Sequence, residues 1–253
     1  GRIGRSRDAH RSRSLTMDLP PSGKAALPAS TARWPVGSGA RLAHALLLVA
    51  LLAMTRVLGV LLLGRITGRA DLDVIDGWTF AALLAASVLS LGGVIGLGLL
   101  VWGRVSLAEL GWRAERLGPD VLRGAVGGAA CCGIVLLISM SQGATAAETL
   151  QAWWGVPVLE RLLGVLIGVE AALTEETLFR GDLQPTVQRL LGRGGGLILT
   201  AVLFALYHLR FGFFGLLGKT AFGLVFGLLR DRTGRLVSPA VAHWITWTVL
   251  GFH

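Results

Sequence analysis

The chain has 253 residues, of which 53% are hydrophobic and only 15% are charged, whereas soluble domains usually carry about 25% charged residues. This composition excludes a disordered chain, a coiled coil and an ordinary soluble enzyme. The net charge of +9 does not indicate a nucleic-acid partner, because much of it lies in an N-terminal tail and in short loops between apolar runs. Such placement is typical of a protein whose charges set its orientation in a lipid bilayer.

Residues 1–40 are predicted to form a disordered basic tail. Arg and Ser dominate residues 1–14, while Pro, Gly, Ala and Ser dominate residues 19–40, and neither stretch has an apolar period. We expect residues 41–120 to hold the N-terminal transmembrane helices and residues 121–253 to form the functional core.

Seven apolar segments follow the tail, and most of them approach the length of about 20 residues that a membrane-crossing helix needs. They cover 42–64, 78–102, 121–141, 156–179, 195–209, 213–229 and 236–252. The period-two alternation of a β-barrel is absent, and a bilayer otherwise admits only helices as spanning structures. The sequence therefore predicts an all-α fold, a polytopic transmembrane helical bundle of about seven spans.

The connections between these segments alternate in charge: connections rich in Lys and Arg are followed by connections with few of these residues. Several arginines lie in 103–120 and just after residues 179 and 229, while 142–158 contains neither Lys nor Arg. Because cytoplasmic loops carry the excess of basic residues, we expect a cytoplasmic N-terminus.

Glycines spaced four residues apart occur in two of the apolar segments. Gly124 with Gly128, and Gly223 with Gly227, either mark close contacts between helices or reflect the abundance of glycine, of which the chain has 36.

Ionisable residues interrupt the apolar segments of the C-terminal half, where each costs about 2.5–3.5 kcal/mol to insert. The spacing of Glu176 and Arg180 predicts a helical ion pair. Glu175 lies on another face of the same helix and lacks such a partner, which suits a general base. His208 ends the fifth segment, and His243 follows a Ser-Pro helix start in the seventh. Each group taken singly fits an interfacial or core residue, but together they indicate a buried site for proton chemistry on water.

The order and spacing of these motifs resemble the CAAX prenyl protease and bacteriocin-processing (CPBP, Abi) family of intramembrane proteases. The resemblance covers roughly residues 120–253 and rests on Glu175-Glu176-x-x-x-Arg180, Phe204-x-x-x-His208 and His243. It implies a membrane endopeptidase in which Glu175 and His208 hold and activate the attacking water. It also implies that His243 helps to stabilise the oxyanion, and that Glu176 and Arg180 support the site.

The three candidate catalytic residues are compatible with a site that holds a metal ion and with one that holds none. Glu175, His208 and His243 could ligate zinc, with water as the fourth ligand, or they could polarise water with no metal. One position departs from the family, which commonly has Asn or Asp four residues after the third-motif histidine. This chain has Trp247 there, whose indole donates a hydrogen bond but accepts none, and we expect it to face the same cavity as His243.

The sequence therefore predicts an intramembrane endopeptidase that cuts a membrane-associated peptide or protein by means of a water activated by Glu and His. The alternative is a catalytically impaired relative that acts as a membrane immunity or partner-binding protein, which Trp247 favours. A proton-relaying transporter is a third class, disfavoured by the lack of an internal repeat. Abundant Gly and the use of Arg over Lys indicate a bacterial cytoplasmic membrane.

One difficulty concerns depth in the bilayer. Loop charges place Glu175 near the cytoplasmic end of its span and His208 near the far end of the next, although a shared site needs them at one level. We expect the fourth segment to run deeper than its charges suggest, with Pro185 breaking the helix after Gln184.

Overall fold

A computed structural model describes residues 32–67, 85–155, 158–208 and 212–250. Within these ranges the chain is helical apart from short connections, so the predicted all-α fold is confirmed. A π-helical segment at Thr177–Leu183 joins the sixth and seventh helices without a break. The helices are α1 (Gly39–Thr67), α2 (Ala85–Trp102, π-helical from Leu89), α3 (Leu107–Leu110), α4 (Leu117–Ser141), α5 (Ala146–Trp154), α6 (Val158–Glu176), α7 (Gln184–Tyr207), α8 (Phe213–Thr233) and α9 (Val237–Leu250).

Five helical stretches of the described residues are long and apolar enough to cross a membrane. They are Gly39–Gly59, Ala85–Trp102, Leu117–Ser141, Gly164–Tyr207 and Phe213–Thr233. The fourth stretch reverses direction within α7, and α9 adds a further apolar helix of 14 residues. Counted this way, the helical segments agree with the predicted bundle of about seven spans. Residues 1–31 of the predicted tail, the start of the second predicted span and the end of the seventh lie outside the described residues.

The reversal within α7 resolves the difficulty of depth. Gly192 has φ 75° and ψ 168°, a conformation that essentially only glycine adopts. Beyond it the chain folds back, and a Cβ on Gly196 would lie 2.7 Å from the Cα of Gln188. Glu175 precedes Gly192 by 17 residues and His208 follows it by 16, so both arms are roughly 25 Å long at the helical rise per residue. The second arm therefore returns His208 to the level of Glu175.

The expected break at Pro185 is wrong, because the turn before this proline is π-helical. The N–H of Gln184 donates to the carbonyl of Phe179, five residues earlier. The next donor in this pattern would be the N–H that proline lacks. Its acceptor, the Arg180 carbonyl, instead accepts a hydrogen bond of 3.0 Å from Arg230 Nε of α8. A side chain thus replaces the missing backbone donor, and the helix continues.

The two glycine pairs mark close helix crossings, as one of the two interpretations predicted. A Cβ added at Gly124 or Gly128 of α4 would lie 2.8 Å or less from a side chain of α9. A Cβ added at Gly223 or Gly227 of α8 would lie equally close to α7. These crossings hold α9, which carries His243, and α7, which directly precedes His208, against their neighbours.

Replacing Gly124 by Ala should therefore destabilise the protein. The added Cβ would meet the Cβ of Val241 at 2.6 Å and the backbone oxygen of Ser238 at 2.7 Å, and overpacking of this kind typically costs about 1–3 kcal/mol. Gly133→Ala is the matched control, because Gly133 lies in the same helix with no atom within 4 Å of the added Cβ. Thermal unfolding in detergent measures both variants, and equal melting temperatures would contradict the close crossing.

The N-terminal helix is attached to the core by two ion pairs. Arg41 contacts Asp182 of the π-helical segment at 2.6 Å, with both side chains buried. Arg56, which the sequence leaves without a role, contacts Glu170 of α6 at 2.5 Å. Residues 32–38, assigned to the tail by the sequence, also contact the bundle, since the Arg33 N–H donates to the Gly103 carbonyl at 2.8 Å.

Candidate active site

Three chain segments bring the predicted catalytic side chains together. Glu175 lies at the end of α6, His208 directly follows α7, and His243 lies in the second turn of α9. The Oε2 atom of Glu175 is 3.7 Å from Nε2 of His208 and 3.7 Å from Nε2 of His243. Glu175 and His243 are buried, and the His208 side chain is 14% exposed. The three groups therefore surround one point inside the bundle.

Hydrogen bonds behind the two imidazole rings determine which nitrogen faces Glu175. His208 Nδ1 lies 2.7 Å from the Phe204 carbonyl oxygen, which can only accept, so Nδ1 carries the proton. His243 Nδ1 lies 2.7 Å from Glu176 Oε1 and donates to this carboxylate in the same way. In a neutral imidazole the other nitrogen is then an acceptor. In this neutral form, both Nε2 atoms present a lone pair towards Glu175.

A buried ion pair supports this arrangement from behind. Arg180 Nη1 donates to Glu176 Oε1 at 3.2 Å, as the sequence predicts, and both residues are almost completely buried. Arg180 Nη2 donates to the Gly223 carbonyl at 3.2 Å, and the guanidinium lies 4.2 Å from the ring centroid of Phe204, a cation–π geometry. Arg180 thereby fixes Glu176, and Glu176 fixes the ring of His243.

Aromatic rings enclose the two histidines. Phe226 stacks on His243 with ring centroids 5.0 Å apart, and the edge of Phe204 meets His208 at 4.6 Å. Both phenylalanines are buried. The rings exclude bulk water from this side of the site, which strengthens the electrostatic interactions inside it.

The two oxygens of the Glu175 carboxylate have different surroundings. Oε1 accepts a hydrogen bond from the Tyr207 hydroxyl at 3.4 Å, whereas Oε2 is buried and has no hydrogen-bond partner among the described protein atoms. The 3.7 Å separation from each Nε2 exceeds a direct hydrogen bond. A water molecule between these atoms can donate one hydrogen bond to Oε2 and the other to one of the two Nε2 lone pairs.

The donor set is also one that zinc accepts, since His and Glu side chains form catalytic zinc sites. In the part of the chain that the structure describes, however, no group of three or more His, Cys, Asp or Glu side chains is arranged to hold a metal ion.

Sequence reasoning missed two residues beside the site. Tyr207 donates to Glu175, and Glu170 joins Arg56 to α6 while its Oε1 accepts from Thr174 at 3.2 Å. Tyr207 had a signal in the sequence, since it is the single tyrosine of the chain and precedes His208. The Arg56–Glu170 pair had none, because its members are 114 residues apart.

Trp247 lies one helical turn beyond His243, where α9 meets α6. Its Cβ is 3.0 Å from the position that a Cβ on Gly168 would take. Gly168 lies two turns before Glu175 in α6. Trp247 therefore packs against the helix that carries the Glu175 carboxylate.

The comparisons with known proteins agree with the motifs. A family model described as Type II CAAX prenyl endopeptidase Rce1-like matches residues 157–249, a range that contains both glutamates, the arginine and both histidines of the site. No curated protein and no solved structure matches the chain. The chain is thus an integral membrane protein that, over residues 157–249, is similar to the Rce1-like type II CAAX prenyl endopeptidases, and the family resemblance indicated by its three motifs is confirmed.

Proposed function

We propose that the protein is an intramembrane endopeptidase in which Glu175 activates a water molecule for attack on a peptide carbonyl. One observation supports this proposal above all others. The partner-free Oε2 of Glu175 and the acceptor Nε2 atoms of His208 and His243 meet at 3.7 Å. A carboxylate and two neutral imidazoles are a set that can hold a water by both of its protons and remove one of them.

Proton transfer in this mechanism begins and ends at Glu175. Oε2 takes a proton from the water as the water oxygen bonds to the carbonyl carbon. A neighbouring Nε2 accepts a hydrogen bond from the other water proton and so fixes the direction of attack. Glu175 then gives its proton to the leaving nitrogen, the carbon–nitrogen bond breaks, and the products are a carboxylic acid and an amine.

We propose a membrane-associated peptide or protein as the substrate. Glu175 belongs to a helical stretch apolar enough to span a membrane, and His208 directly follows that stretch. A scissile bond must therefore reach the interior of the bundle, which a segment already partitioned into the bilayer does most readily. The basic connections support a cytoplasmic N-terminus, and the residue usage supports a bacterial cytoplasmic membrane.

A peptidase assay on the purified protein in liposomes tests this proposal. His208→Gln should lower the cleavage rate by about 10²-fold or more, as expected when a group that positions the reacting water is lost. His44→Gln is the matched control, because His44 is also buried but lies 3.2 Å from the Gly98 carbonyl, where Gln can donate the same bond.

The assay is repeated with a strong chelator. Undiminished cleavage agrees with a water activated by side chains alone, whereas loss of activity that zinc restores would assign the three groups to a metal. A wild-type protein that cuts no membrane peptide but binds one stably would contradict the proposal and favour the partner-binding alternative.

A further inference from the structure

Two arginines from distant parts of the chain meet where α8 ends. Arg113 lies in the connection between α3 and α4, and Arg230 lies in the last turn of α8. The guanidinium of Arg230 lies against Gly111, since a Cβ added to this glycine would be 2.6 Å from Nη1. Arg113 Nη2 donates to the carbonyl of Gly234 at 3.4 Å, and the N–H of Gly234 caps α8 by donating to the Arg230 carbonyl. The two side chains therefore occupy one corner of the protein, where their positive charges repel each other.

The positive charge of this corner is not neutralised by the protein. Among the residues that the structure describes, the neighbouring carboxylates are paired elsewhere: Asp231 contacts Arg193 at 3.0 Å, and Asp120 contacts two other arginines. The Nε atom of Arg113 is buried and has no hydrogen-bond partner in the described part of the chain. Both arginine side chains are partly exposed, so an anion can reach them. An anion that bridges the two guanidinium groups would remove their repulsion.

The corner lies where apolar surface gives way to polar surface. Arg230 ends a helix that is long and apolar enough to cross a membrane, and Leu228, two residues earlier, is exposed. Arg113 shortly precedes α4, a second helix of this kind, whose Leu117 and Leu122 are also exposed. Exposed leucines on such helices contact acyl chains, which places the two guanidinium groups at the level of the phospholipid headgroups.

On these grounds we propose that Arg113 and Arg230 bind a phosphate group, and that this group belongs to an anionic membrane lipid. A guanidinium presents several donors in one plane that match the oxygens of a phosphate and form charge-assisted hydrogen bonds with them. Basic pockets between transmembrane helices bind lipid headgroups in this way. Free phosphate offers the same charge, but only a lipid also covers the exposed leucines beside the two arginines.

The proposed lipid site adjoins the segment that supports the candidate active site. Arg230 Nε donates to the Arg180 carbonyl at 3.0 Å, and Arg180 pairs with Glu176. A lipid that holds Arg230 in place therefore stabilises the folded arrangement of this segment, and ligands that bind only the folded state raise its melting temperature. Binding at this site requires no peptidase activity, so its measurement is independent of the proposed function.

A lipid titration of the purified full-length protein tests the proposal. Phosphatidylglycerol is added in mixed micelles of a neutral detergent, and the rise in melting temperature with lipid fraction gives the apparent affinity. Arg113→Gln should weaken this affinity by about tenfold or more, as expected when a hydrogen bond between charged groups is lost. Arg113 is the residue to change because Arg230 also holds the Arg180 carbonyl.

Arg232→Gln is the matched control, because it removes the same charge from the last turn of the same helix while Arg232 is exposed. Its affinity for phosphatidylglycerol should stay within about twofold of that of the wild type. Equal losses in Arg113→Gln and Arg232→Gln would overturn the proposal, because they would show a diffuse attraction to positive charge. If Arg113→Gln does not fold, Arg113→Lys takes its place. It keeps the charge without the planar set of donors and should also bind the lipid more weakly than the wild type.

Two further probes identify the source of the phosphate. Phosphatidylcholine, whose phosphate carries an attached cation, should raise the melting temperature much less than phosphatidylglycerol does. Inorganic phosphate should bind at least about tenfold more weakly than phosphatidylglycerol, because it leaves the leucines uncovered. Inorganic phosphate that binds as tightly as the lipid would overturn the lipid assignment, and a wild-type protein whose melting temperature does not respond to phosphatidylglycerol would overturn the site.

Discussion

Glu175→Gln should remove nearly all peptidase activity while leaving the protein folded. Glutamine has almost the same shape as glutamate but cannot take a proton from water, and general acid–base catalysis typically contributes about 10²–10⁴-fold to a rate. We expect kcat to fall within that range with little change in KM. Initial rates of peptide cleavage in liposomes measure the effect, and a thermal melt in detergent measures folding.

Glu148→Gln is the matched control for this change. Glu148 is an exposed carboxylate that closes the capping box at the start of α5 with Thr145, and a glutamine can occupy the same position of that motif. Its cleavage rate should equal that of the wild type. A Glu175→Gln protein that cleaves at the wild-type rate would disprove the role of Glu175 as the base.

Arg180→Met should destabilise the protein more than a substitution at its surface or at a helix crossing. The change leaves the carboxylate of Glu176 buried without its cation, and removal of one member of a buried pair typically costs about 3–5 kcal/mol. The double variant Arg180→Met/Glu176→Gln should recover part of this loss, because it removes the uncompensated charge. Unfolding followed by temperature or denaturant in detergent gives both values.

Arg193→Met provides the comparison with an exposed pair. The side chain of Arg193 is 71% exposed and contacts Asp231 at 3.0 Å, and such pairs contribute about 0–1 kcal/mol. We expect Arg193→Met to unfold close to the wild-type temperature. If Arg180→Met does the same, the Glu176–Arg180 pair does not behave as a buried one.

Local patterns in the sequence account for most of the fold and for the residues gathered at the candidate site. Runs of apolar residues predict the helices because a bilayer leaves the backbone no other way to satisfy its hydrogen bonds. The spacing of Glu176 and Arg180 predicts their contact for a similar reason, since residues four apart share one helix face. These inferences need only the geometry of a single helix.

The features that the sequence did not predict depend on contacts between distant segments. The continuation through Pro185 requires a donor from Arg230, which lies 50 residues from the carbonyl that it satisfies. The Arg56–Glu170 pair likewise depends on how α1 packs against α6. The reversal at Gly192 lies in a run of glycines that reads as an ordinary loop, and its importance appears only when the two arms are measured against each other.

The arms of similar length on either side of Gly192 restrict where this chain can tolerate insertions and deletions. One residue added within either arm would shift the end of that arm by about 1.5 Å and rotate it by about 100°. Glu175 and His208 would then no longer face each other. Residues added at the turn itself change neither arm, so the chain can vary in length at the turn while each arm must keep its number of residues.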